Sequence, residues 1–194
     1  MKLLDASFES CADLQELFQP LSPDLVALQL STGLLKGQVK AWGFDGFRLN
    51  LLTTDQSLFL SGTRRLEPCT LALPLDPSTS DEAYQAQGIS MPWAGLMGYN
   101  RGLVDFDLKL PAGARLATVV INKAAWLDRH GPTNGPRVMK RWENTNQLEV
   151  RPPLHVQLQH HLMALMHGQA GGAAPGGHRP AALVRQAPQN TTEG

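Results

Sequence analysis

The texture of the chain changes at about Asn122, and no other feature constrains the fold as much. Before that point come short β-type runs cut by Gly, Pro and Asp. After it come two helical stretches, a Gly/Ala/Pro tract from Gly168 to Gly177, and a helix-like fragment, Arg179 to Ala187. Val26 to Leu30 is β-rich, and Lys36 to Trp42 alternates polar and apolar. Asp45-Gly46 is a hairpin signal leading into the alternating run Phe47 to Leu51. Ser57 to Leu60, Thr70 to Leu73, Gly88 to Met91, Val104 to Leu108 and Leu116 to Ile121 complete the series, with a polar loop at Asp76 to Glu82. Short strands punctuated in this way predict a mainly β fold, an antiparallel sandwich or barrel.

The helices are marked by caps and periodicity. Ser10-Cys11-Ala12-Asp13 has the form of a capping box, with Leu14, Leu17 and Phe18 following at helical spacing and Pro20 closing the pattern. Lys123 to His130 reads as helical up to Gly131-Pro132, and Arg137 to Glu143 has room for one or two helical turns. Pro152-Pro153 opens the strongest helix, whose stripe is Leu154, Leu158, Leu162 and Leu165, with Met166 beside it. Gly168 to Gly177 cannot pack a core and is expected to be a flexible linker.

Composition narrows the function classes. No apolar run approaches the roughly 18 residues of a membrane helix. Met1-Lys2-Leu3-Leu4-Asp5 is unlike a signal peptide, so a cytoplasmic location is the default expectation. Cys11 and Cys69 sit in no CxxC and read as reduced thiols. Residues 1–130 carry 11 Lys/Arg against 14 Asp/Glu, and residues 131–194 carry 6 against 3. That basic excess is too small and scattered to track phosphates, so these residues are not expected to bind nucleic acid directly.

Four local patterns recur in order: Ser7-Phe8-Glu9-Ser10; Gln29-Leu30-Ser31-Thr32-Gly33-Leu34-Leu35-Lys36-Gly37; Gly88-Ile89-Ser90-Met91; and the stretch from Gly102 through Asp105-Phe106-Asp107 to Pro111 and Gly113, running into Ala117 to Ile121. With the order of elements, they resemble the N-terminal sensor domain of AraC-type transcription regulators over roughly residues 7–130. The resemblance implies a cupin-like jelly-roll barrel with a short N-terminal helix over 1–122 and a helical dimerisation segment over 123–167. It implies that 168–194 is a linker and the start of a helix-turn-helix domain missing from this sequence, with Arg179 to Ala187 similar to its lead-in. The implied partners are a second copy bound through the C-terminal helix, a small-molecule effector, and DNA only through the missing domain. No membrane and no cofactor are called for. The stripe Leu154, Leu158, Leu162 and Leu165 then has two readings, packing on its own barrel or on the same helix of a second chain.

Enzymatic cupins hold a metal by His and Glu, but residues 1–129 contain no His; all six lie from His130 onward. His160 and His167 lie near one helix face and read as solvated or dimer-contacting, not as ligands. No nucleophile elbow, P-loop, dinucleotide fingerprint or paired carboxylates appear, and Asp105 with Asp107 reads as a solvated edge. The expectation is therefore a regulatory module with no catalytic or metal residues. Small barrels of this kind bind ligands with a few aromatic walls and one or two polar anchors. Trp42, Trp93 and Tyr99 are the candidate walls, with core packing as their alternative role; Arg48 and Arg64 are the candidate anchors for an anionic group. A divergent cupin enzyme and a protein-interaction adaptor are the alternatives.

Overall fold

The structure is a computed structural model. It describes residues 1–63, 68–76, 83–91, 95–97, 104–129, 131, 136, 140 and 147–170. Arg64, Trp93 and Tyr99, most of the 137–143 segment and residues 171–194 lie outside the described residues, as does the side chain of Cys69.

The chain is mainly β, as the punctuated runs predict. Its strands are β1 (Lys2–Phe8), β2 (Val26–Gln29), β3 (Gly37–Phe44), β4 (Phe47–Thr54), β5 (Leu58–Thr63), β6 (Pro68–Pro74), β7 (Gln85–Ala86), β8 (Ile89–Ser90), β9 (Gly95–Met97), β10 (Asp105–Leu110), β11 (Arg115–Asn122) and β12 (Gln147–Glu149). They form a seven-stranded sheet in the order β1-β3-β4-β11-β6-β9-β12 and a five-stranded sheet in the order β2-β5-β10-β7-β8. Every pairing is antiparallel. Strands distant in sequence pair in nested order: β4 with β11, β5 with β10, β6 with β9 and β7 with β8. Alternate pairs fall in alternate sheets.

The core between the sheets takes Val39 and Leu52 from one side and Ala27, Leu58, Leu60 and Leu110 from the other. Phe8 and Leu14 seal it from the N-terminal segment. β1 is an addition to the expected pattern. It alternates Leu4, Ala6 and Phe8 toward the core, and it pairs with β3 in a register that sets Phe8 opposite Gly37. A Cβ at Gly37 would lie 2.1 Å from Phe8 Cζ and 2.4 Å from the Thr53 carbonyl oxygen, so only glycine lets the ring lie there.

Helix α1 (Cys11–Phe18) starts as the capping box predicts, with Asp13 N–H donating to Ser10 Oγ at 3.1 Å. The return bond comes from Glu9 N–H to the Asp13 carboxylate at 3.0 Å, one residue earlier than in the usual box. That bond, together with the Ser10 side chain, holds the Asp13 carboxyl below its usual range. Residues 123–129 are helical (α2). Helix α3 (Pro152–Ala170) begins on two prolines, whose missing N–H groups fall where a helix has no partner for them. It runs past the expected end at 167 through Gly168, where nothing lies within 4 Å of an added Cβ, so the residue carries only the propensity cost of a helical glycine.

α3 lies on the outer face of the seven-stranded sheet. Leu162 and Met166 are buried there with Trp42, Leu49, Leu73 and Ala117, and Leu158 and Leu165 pack at the margin. Gln159 Nε2 donates to the carbonyls of Pro74 and Leu75 at 3.1 and 2.9 Å, and Arg115 meets Met163 Sδ at 3.7 Å. Of the two readings of the leucine stripe, packing within its own chain is the one seen for Leu158, Leu162 and Leu165, against the seven-stranded sheet. His155 is wholly buried near the helix start, and burial pushes its imidazole below the ordinary range. With β12 in the sheet and α3 upon it, residues 147–166 pack with the β-unit.

Candidate functional site

Both faces of the seven-stranded sheet are covered, so consecutive residues on β4 and β11 serve different compartments. Leu49, Ala117 and Val119 point to α3, while Arg48, Asn50, Leu52, Leu116, Thr118 and Val120 point between the sheets. There a cavity of about 1090 Å³ opens into the sandwich. Cross-strand register arranges its wall in rows. Arg48, Val120 and Thr70 are nearest the hairpin end; Asn50, Thr118 and Ala72 follow; Leu52 and Leu116 close the deep end. The wall thus grades from polar to apolar with depth.

The facing sheet supplies a different wall. Leu60 pairs with Leu108, Leu108 with Ala86, and Gly62 with Phe106. All but Gly62 line the cavity, and none of them has a polar side chain. Gly62 makes room for the aromatic ring beside it, since a Cβ would sit 3.0 Å from Phe106 Cε1. A guest between these walls meets Asn50, Thr70 and Thr118 on one side and chiefly hydrocarbon on the other, where Thr63, Gln87 and Asp107 also border the space.

The rim is held by local chemistry. Asp45-Gly46 turns the β3–β4 hairpin, with Gly46 at φ +85°, as the Asp-Gly signal predicts. Phe44 and Phe47 stack with centroids 4.6 Å apart. Asn122 caps α2 by accepting from Ala125 N–H at 3.0 Å, and its own N–H donates to the Gly46 carbonyl at 3.0 Å. Arg129 pairs with Asp45, tying α2 to the hairpin. Across the mouth, Asp24 accepts from Thr63 N–H at 2.8 Å, and the Thr63 side chain, with that bond, holds its carboxyl below the usual range. The β7–β8 turn adds Gln87 in the left-handed region at φ 55°, its N–H donating to the Asp107 carbonyl at 2.9 Å.

Of the five residues expected at a ligand site, the structure brings one to the cavity. Arg48 lines it and is already engaged by another group of the protein. Trp42 requires a correction: it is 3% exposed under α3, on the opposite face of the sheet from the cavity. Its neighbour Ala41 is the residue of β3 that sits opposite Asn50, so strand alternation turns Trp42 away. Arg64, Trp93 and Tyr99 lie outside the described residues. Asn50, Thr70 and Thr118 were not anticipated. Asn50 is a polar member of an alternating run, where the polar row ordinarily faces solvent, and Thr118 is a single polar residue in the otherwise apolar run Leu116 to Ile121. Asn50 is 6% exposed, and its Oδ1 has no hydrogen-bond partner among the described residues. Asp105 and Asp107 are exposed, as expected of a solvated edge.

Comparison with known protein families, with characterised proteins and with solved structures finds no match to this chain.

Proposed function

We propose that the chain is a small-molecule sensor domain of the AraC type, a jelly roll whose cavity takes an effector and whose C-terminal helix relays the occupancy. The observation that carries this reading is the cavity of about 1090 Å³, with Asn50, Thr70 and Thr118 on one wall and chiefly Leu60, Leu108 and Phe106 on the other, separated from α3 by a single sheet. The nested pairing of β4–β11, β5–β10, β6–β9 and β7–β8, split alternately between two sheets, supports the jelly-roll part of the reading. The lack of any His before residue 130 supports binding over metal-dependent catalysis.

The mechanism is a shift between two seatings of α3. A guest that contacts Asn50 and Thr118 favours one arrangement of β4 and β11, and the same strands carry Leu49 and Ala117 beneath the helix. Only a difference in affinity for the two seatings moves the equilibrium. The output passes to a DNA-binding domain absent from this sequence, and the chain works as a homodimer through the C-terminal helix. Because Leu158, Leu162 and Leu165 are already covered, the helix meets its partner with its outer face, which bears His160, His161 and Ala164.

The test is thermal melting with a broad panel of metabolites. A ligand at a hundred times its Kd stabilises by about 2.7 kcal/mol, a rise of roughly 5–10 °C for a chain of this size. No rise with any compound, together with an unchanged panel result for a cavity-filling Ala72→Phe variant, would sink the sensor reading. The adaptor alternative has its own observation, the exposed apolar side chains Val26, Leu28, Leu30 and Leu34 beside the β2 edge. It predicts that the Ala72→Phe variant keeps full biological activity.

A further inference from the structure

Among polar side chains of the described cavity lining, Asn50 stands apart. It is 94% buried, it sits at mid-depth, and its carbonyl oxygen has no partner among the described residues. A buried acceptor left unmade is costly, and the cost vanishes when an occupant donates to it. Thr118 lies directly opposite on β11 and borders the same space, so a second group able to donate and accept stands beside the first. The cationic side chains of the described lining, Arg48 and Lys123, are each already engaged within the protein. The facing wall at this depth is Leu60 and Leu108.

We infer that the cavity selects a neutral amphiphile with a hydroxyl or amide head, which donates to Asn50 and exchanges hydrogen bonds with Thr118 while its hydrocarbon body lies against Leu60 and Leu108. A carboxylate head fits less well. It brings no donor for the Asn50 oxygen, and burying its charge beside that oxygen carries a desolvation cost. An ether or ester head fills the same space and leaves the oxygen unmade. This assignment rests on the sensor reading and adds to it the chemical class of the effector.

The experiment uses the purified chain and four probes with matched hydrocarbon bodies: 1-hexanol, hexanamide, hexanoate and methyl pentyl ether. Binding is followed by amide chemical-shift changes on β4 and β11. The expected order is alcohol and amide first, with the ether and the carboxylate each weaker by roughly tenfold. In Asn50→Leu, which replaces the amide by an apolar group of similar size, the alcohol's advantage over the ether disappears while the ether's own affinity is kept. Thr118→Val serves as an independent variant and narrows the same gap. Hexanoate binding tightest, or ether equal to alcohol in the unsubstituted protein, overturns the assignment but leaves a ligand-binding cavity. Failure of all four probes to move any β4 or β11 resonance removes the sensor reading together with it.

Discussion

Truncating Leu162 to alanine tests where the leucine stripe is used. Leu162 is 8% exposed, and its neighbours beneath the helix are Leu49 at 0%, Leu73 at 2% and Ala117 at 0%. The change removes three carbons, each worth about 0.8 kcal/mol of burial. A residual void adds to that, because Leu49 and Ala117 belong to hydrogen-bonded central strands and cannot move up to fill it. The sum is about 3 kcal/mol, or a fall in Tm of roughly 6–12 °C. Urea unfolding read by tryptophan fluorescence is the natural assay, since Trp42 lies in the same cluster. If the stripe packs within one chain, the loss is the same over roughly a hundredfold range of protein concentration. A loss under about 1 kcal/mol, or one that grows as the protein is diluted, would refute packing on the chain's own sheet. His160→Ala, on the exposed face of the same helix, is the control and stays within about 0.5 kcal/mol of the parent.

Two further predictions follow from individual contacts. Gly37→Ala is expected to cost about 3 kcal/mol, the upper end for overpacking, because one of the atoms in its way is the Thr53 carbonyl oxygen. Adding Phe8→Leu relieves only the ring contact, so thermal melts of the double variant that returned fully to the Phe8→Leu value would contradict the geometry. Tyr84 is pushed up from 10.0 to about 12, chiefly by burial, while its hydroxyl accepts from Arg115 N–H at 3.1 Å. A raised folded-state value means that the stability from Tyr84 is complete below about pH 10 and is lost as pH rises toward 12. Alkaline denaturation of Tyr84→Phe should therefore lack that component, and a profile identical to the parent's would show that the phenol does not ionise with unfolding.

The strands were legible because their alternation and punctuation are local, and so was the turn at Asp45-Gly46. What alternation does not reveal is which row faces the core. On β3 and β4 both rows are buried, since one side meets the opposite sheet and the other meets α3. Trp42, expected as a cavity wall, is instead helix seating, while Asn50, for which no role was expected, is cavity lining. β1 escaped notice because Lys2 and Asp5 interrupt its apolar residues; only pairing with β3 makes Leu4, Ala6 and Phe8 a row. The place of β12 was hidden for a related reason. Strand β12 joins the sheet through β9, a partner some fifty residues earlier, and no local pattern announces such a pairing.

The two walls of the cavity differ in their freedom to change. A substitution on β4 or β11 that reshapes the polar wall also disturbs the backbone on which α3 rests, so new ligand contacts made there risk unseating the helix. The opposite sheet carries no such obligation. Val26, Leu28, Asp105 and Asp107 on its outer side are exposed, and Leu60, Leu108 and Phe106 can vary in size at little cost to anything behind them. In descendants of this sequence, then, the polar wall should drift slowly and preserve the kind of head group recognised. The apolar wall should diversify and set the length and breadth of the body attached to it.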